Sequence, residues 1–82
     1  MYRIIPDSVV VDQVAALPTE ALLAYAEVLS VLEIEPWSGQ PQHRDNPEGA
    51  VRRWVFGGSG QLVYLIADRQ REVHLLRLVW LG

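Results

Sequence analysis

The sequence predicts an α+β domain of order β-α-α-β-β-β, with a helical hairpin packed on an antiparallel sheet. Three observations carry this expectation. One segment, residues 19–33, repeats apolar residues at helical spacing. Three strand-like runs follow at 51–56, 62–67 and 72–80, separated by two short turns. A short β-like run, Tyr2–Ile5, precedes the helices and stops at Pro6. At 82 residues the chain has room for one domain, spanning 1–82.

Each element has a local cause. Asp7 and Ser8 suit the start of a first helix near Val9, with Val10, Val11, Val14 and Leu17 on one face. Pro18-Thr19-Glu20 opens the second helix, where proline fits the first turn and Glu20 suits the positive end of the helix dipole. Leu22, Ala26, Leu29 and Leu32 form its expected buried stripe, widened by Leu23, Tyr25 and Val28. Pro36 ends it. Residues 36–50 hold three prolines and two glycines, which predicts an irregular loop pinned by Trp37. A loop of this length in a compact domain is often functional. Gly57-Gly58-Ser59-Gly60 and Asp68-Arg69-Gln70-Arg71 read as hairpin turns, giving an antiparallel meander beside which the first strand joins.

Composition narrows the function. The chain is 50% hydrophobic with a formal charge of −3; all seven basic residues are Arg, and there is no Cys. Disulfide scaffolds and cysteine zinc sites are excluded. So is a disordered tail. No apolar run is long enough to span a membrane, and Pro6 interrupts any signal-peptide core, so a cytoplasmic location is expected. His43 and His74 lie too far apart in sequence for a metal motif, and no cofactor is expected. The glycine turn lacks the glycine after Ser59 that a nucleophile elbow needs, and it lacks the lysine of a phosphate loop. The charge is split. Residues 1–40 carry Arg3 and six acids, whereas residues 41–82 carry six arginines and four acids. Such a division can mark two surfaces with different partners.

Arginine is suited to phosphate, because its planar fork binds two oxygens and its charge is permanent. Strand alternation groups Arg53 with Val51 and Val55, and Arg52 with Trp54 and Phe56. The bulkier aromatic set is expected to face the helices. Arg53 then lies on the open face, and Arg52 snorkels at an edge. In the last strand, Arg77 alternates with Val73, Leu75 and Val79, and His74 with Leu76, Leu78 and Trp80. If the second set is the core side, Arg77 joins Arg53. His74 reads as a half-buried, hydrogen-bonded residue, and Tyr64 as core with its hydroxyl at a rim.

The opening strand, Leu17-Pro18, Glu35-Pro36-Trp37, Val51-Arg52-Arg53-Trp54, Gly60-Gln61-Leu62-Val63-Tyr64 and Val73–Trp80 together resemble the RelE/ParE toxin superfamily. Asp45-Asn46-Pro47 and Gly57-Gly58 are similar to an actinobacterial branch of it. The resemblance implies the toxin of a type II toxin–antitoxin pair, acting on translation as a ribosome-dependent mRNA endoribonuclease. The alternative is a non-enzymatic DNA gyrase poison, or a degenerate relative acting through its antitoxin complex. Expected partners are an antitoxin, the ribosome and mRNA, and no membrane. Where nuclease members place a phosphate-binding arginine and proton-transfer groups, this chain has Gln61, Val79 and Trp80. Catalysis would therefore rest on Arg53 and Arg77 for the phosphate and on His43, with His74 or Glu48, for proton transfer. Arg44, Arg52, Gln61 and Trp80 are the expected RNA contacts, Trp80 by stacking on a base.

Overall fold

A computed structural model describes all residues, 1–82. Strand β1 spans Arg3–Pro6, helix α1 Ser8–Ala15 and helix α2 Thr19–Ile34. A 3₁₀ turn, Pro36–Ser38, leads to the two-residue strand β2, Gln40–Pro41. Strands β3 (Val51–Phe56), β4 (Gly60–Ala67) and β5 (Glu72–Trp80) complete the chain. The α+β order of the sequence reading is present. The sheet, however, has five strands and is mixed: its order is β1-β5-β4-β3-β2, and β1 runs parallel to β5. No helix is long and apolar enough to cross a membrane.

Both helices cover one face of the sheet. α1 packs on β5, and α2 bridges β1, β5 and β3. The core between the layers joins Val10, Val28 and Leu32 to Phe56, Leu62, Tyr64, Ile66, Val73, Leu75 and Leu78. On α2 the buried stripe is Ala21, Val28 and Leu32, with Ala24, Tyr25 and Leu29 partly buried. It is rotated from the expected one: Leu22, Leu23 and Ala26 are exposed. Leucines on both sides of the helix make its apolar pattern nearly isotropic, so sheet contacts decide which face turns inward. On α1 Val10 is buried, whereas Val11 is exposed.

The 36–50 segment is less irregular than expected. Pro36 and Gly39 are buried, and β2 pairs Gln40 with Arg53 and Pro41 with Arg52. Arg52 organises the segment. Rather than snorkelling, it is 8% exposed on the helix side and donates to the carbonyls of Gly49 (3.0 Å), Gly39 (3.0 Å), Pro47 (2.8 Å) and Trp37 (3.3 Å). Its guanidinium lies 5.0 Å from the Trp37 ring centroid. Tyr64 is likewise inside rather than at a rim: it is fully buried, and its hydroxyl donates to the Pro36 carbonyl at 2.7 Å.

A second clamp closes the other end. The Tyr2 hydroxyl and Trp37 Nε1 both donate to Asp68 Oδ1, at 2.5 and 3.1 Å. Arg71 donates to the Tyr2 hydroxyl at 3.0 Å and lies over its ring, with φ of 55°. In the other hairpin, Gly57 and Gly58 take φ of 58° and 78°, a conformation that glycine reaches at little cost. Both sheet edges end in proline. Gln42 N–H donates inward to Val51, so alternation turns the missing donor of Pro41 outward, where it blunts strand addition.

Candidate functional site: an open sheet face with unpaired arginines

The face of the sheet away from the helices is uncovered. Its residues follow from the pairing register. Arg53 lies opposite Val63, and Val63 opposite Arg77, so the two arginines share one row across three strands. Two strand spacings put their backbones roughly 10 Å apart. One row away, Gln61 lies between Val55 and Val79. On the other side, Leu65 lies opposite Val51 and His74, and His74 opposite Ile5.

A β-bulge creates this arrangement. β4 residues Val63 and Tyr64 pair with Arg77 and Leu75, leaving Leu76 without a partner. The extra residue reverses the alternation partway along β5. Val73 and Leu75 face the core before it, and Leu78 faces the core after it. His74 and Arg77, expected on opposite faces, therefore share the open one. Beyond the end of β1, the Leu78 amide donates to Gln13 Oε1 of α1 at 2.7 Å.

The charges on this face are unevenly paired. Glu72 accepts from Arg3 and lies 3.0 Å from His74 Nε2. Its carboxyl is held below the usual range, first by Arg3 and then by His74. The ion pairs of the molecule are Arg3–Glu72, Arg71–Asp68 and His74–Glu72. Arg44, Arg53 and Arg77 belong to none of them. Arg53 Nε is buried and has no hydrogen-bond partner. Arg44 and Arg53, with Gln40, Pro41 and Gln42, line an open cleft of about 440 Å³ that contains no carboxylate. A second cleft, of about 240 Å³, continues past Arg53 to Ser38, Gly39, Trp54 and Val55.

The expected site residues thus separate into groups. Arg53, Arg77 and Gln61 lie on the open face, and Arg44 joins Arg53 at its β2 edge. His43 lies on the exposed loop beside Arg44 and makes no side-chain hydrogen bond to the sheet. Arg52 is committed to loop carbonyls, which removes it from any nucleic-acid surface. Trp80 is on the helix side, stacked on Phe56 at 5.9 Å between centroids, so it does not join the arginines. His74 was not expected on the open face. Only the bulge places it there, and one residue of extra length in a strand leaves no mark in an apolar pattern. No three His, Asp or Glu side chains converge as a metal site. No protein-family model, curated protein or solved structure matches the chain.

Proposed function

We propose that this protein is the toxin of a type II toxin–antitoxin pair of RelE/ParE type, binding mRNA on the ribosome through its open sheet face. The observation that carries this reading is the row Arg53–Val63–Arg77, extended by Arg44, in which three permanent cations form no ion pair with any carboxylate of the chain. Unpaired arginines around apolar residues suit a ligand with phosphates and stackable bases. The element order and the resembling motifs support the same class.

The chemistry is RNA cleavage by the neighbouring 2′-hydroxyl. That oxygen attacks phosphorus, its proton passes to a base, and the P–O5′ bond breaks as the leaving oxygen takes a proton. Arg53 and Arg77 neutralise the charge that develops on phosphorus. His74, oriented by Glu72, lies one row from Arg77 and is the base best placed on this face; His43 on the loop is the other. An antitoxin covers the basic face, and the protein acts in the cytoplasm with the ribosome.

One observation favours a second reading. Apart from His74, the residues around Arg53 and Arg77 are Val51, Val55, Val63, Leu65, Val79 and Gln61, none of which transfers protons. A toxin that binds without cutting, such as a gyrase poison, needs nothing more. Expression of the unmodified protein and of an Arg53→Ala/Arg77→Ala variant tests both readings through growth and mRNA integrity. Arrest with cleaved mRNA, lost in the variant, is expected. Arrest with intact mRNA replaces cleavage by binding, and absence of arrest removes both toxin readings.

A further inference from the structure

The carboxylates in the first half of the chain play no part in an RNA-facing site. Residues 4–43 contain no Arg or Lys but six carboxylates: Asp7, Asp12, Glu20, Glu27, Glu33 and Glu35. None of them is in an ion pair. The outer face of α2 also leaves large apolar side chains in solvent. Leu23 is 65% exposed, Ile34 66%, and Leu22 and Val31 38% each.

These features coincide on one surface. α2 buries Ala21, Val28 and Leu32 against the sheet, which turns Leu23, Ala26, Ser30 and Ile34 outward. Their spacing keeps them on one stripe of the helix, roughly 16 Å long at 1.5 Å per residue. The Ser30 hydroxyl donates back to the Ala26 carbonyl at 3.3 Å, so it offers no donor to the outside. Glu20 and Glu27 follow one flank of the stripe two turns apart, roughly 10 Å along the axis. Glu33 is on the other flank.

We propose that this face of α2 docks an amphipathic helix of a second protein. The helix turns apolar residues toward Leu23 and Ile34 and carries Arg or Lys where it passes Glu20 and Glu27. A helix fits because the stripe is straight, one helix long and low at its centre, where Ala26 and Ser30 let another helix approach. Positive flanks fit because the carboxylates here have no partner within the chain. A second copy of α2 does not fit, since it would set glutamates against glutamates. The basic sheet face of another copy would match in sign, but that contact is head-to-tail and would build rings or open filaments, which self-association of the unmodified protein would reveal. The docking surface lies on the helix layer, away from Arg53 and Arg77, so it stands or falls independently of the RNA reading.

The test uses the full chain and a synthetic helical peptide of about 20 residues, with Leu along its seam and Arg along its flanks. A twin peptide carries Glu at the Arg positions. Fluorescence anisotropy is expected to show saturable binding of the Arg peptide, with the Glu twin at least about tenfold weaker. Leu23→Ser/Ile34→Ser is expected to weaken binding by at least about tenfold, as loss of the main apolar anchors does. Glu20→Gln/Glu27→Gln leaves the stripe intact; it is expected to weaken binding about threefold or more and to reduce its salt dependence. Equal binding of the two peptides, or none by either, overturns the proposal. So does unchanged affinity in both variants. Self-association of the unmodified protein that Leu23→Ser/Ile34→Ser abolishes overturns it in favour of a second copy.

Discussion

Arg53 and Arg77 flank Val63 on the open face, each directly across one strand boundary from it. Because neither is paired with a carboxylate, their charge is available to an anion. On the proposed RNA-binding reading, Arg53→Ala/Arg77→Ala should weaken RNA binding and lower the magnitude of the salt slope by roughly 0.7 per arginine removed, the value for single strands. Filter binding over a salt series measures this. An unchanged slope would place the RNA elsewhere. Arg77 is exposed, so its replacement should alter stability by no more than about 0.5 kcal/mol.

Arg52 should behave in the opposite way. Its four carbonyl acceptors, on Trp37, Gly39, Pro47 and Gly49, are contributed by the 36–50 segment alone. Hydrogen bonds from a charged donor contribute about 1.5–3 kcal/mol each, although their loss is not additive. Arg52→Met should therefore cost at least about 3 kcal/mol in thermal unfolding and expose the amides of residues 39–50 to hydrogen exchange. Arg52→Lys should recover little, since an ammonium does not reproduce the planar fork. A stable Arg52→Met variant with a protected loop would overturn this role.

The contrast between these neighbours shows how much of the molecule is legible in its sequence. Alternation placed Arg53 outside and Arg52 with Trp54 and Phe56, and the structure agrees. The destination of Arg52 was not legible, because carbonyls from residues 37–49 converge only once β2 has paired with β3. β5 is more instructive. Val73 and Leu75 have one parity and Leu78 and Trp80 the other, yet all four face the helices. An apolar run with both parities filled fits either register, and the bulge at Leu76 uses both. His74 therefore reached the open face unannounced. On α2, leucines at 22, 23, 29 and 32 offered several possible stripes, and only packing chose among them.

Gly39 meets Tyr64 at very close range. A Cβ built on Gly39 would lie 1.9 Å from the Tyr64 hydroxyl oxygen, 2.9 Å from Cζ and 3.1 Å from the Arg53 carbonyl oxygen. The backbone there is extended, so contact rather than torsion demands glycine. Gly39→Ala should cost about 1–3 kcal/mol by overpacking, and more if the Tyr64–Pro36 hydrogen bond is displaced. Tyr64→Phe removes the closest contact, so the double variant should be less destabilised than the two single effects summed. Additive losses in chemical denaturation would contradict the clash.

Asp68 ties Tyr2 and Trp37 together, and the two donors, Tyr2 first, hold its carboxyl below the ordinary value of 3.8. A depressed folded-state pKa means that the linked stability is complete above the unfolded value and declines as pH falls through the folded one. The protein should thus lose stability on acidification below about pH 4, and Asp68→Asn should flatten that limb while lowering stability at neutrality. Melting temperatures from pH 7 to pH 2 measure both effects. An equal acid slope in the variant would assign the transition to other carboxylates, Glu72 first.

Tyr64 governs the alkaline side. Burial pushes its hydroxyl from 10.0 up to about 12, because phenolate is poorly solvated inside the core, and this outweighs the opposing pull of the Arg52 charge. A raised folded-state pKa reverses the sign: the contribution is complete below the unfolded value and is lost as pH rises through the folded one. Stability should therefore fall between pH 10.0 and about 12, in step with ultraviolet absorbance at phenolate wavelengths. Tyr64→Phe should remove most of that limb at the expense of the bond to Pro36, about 1 kcal/mol at neutral pH. Tyr2 is also raised, first by its hydrogen bond to Asp68 and then by burial. Comparing Tyr2→Phe with Tyr64→Phe separates the two: a limb that survives Tyr64→Phe and vanishes in Tyr2→Phe would move the alkaline transition from the core to the Asp68 clamp.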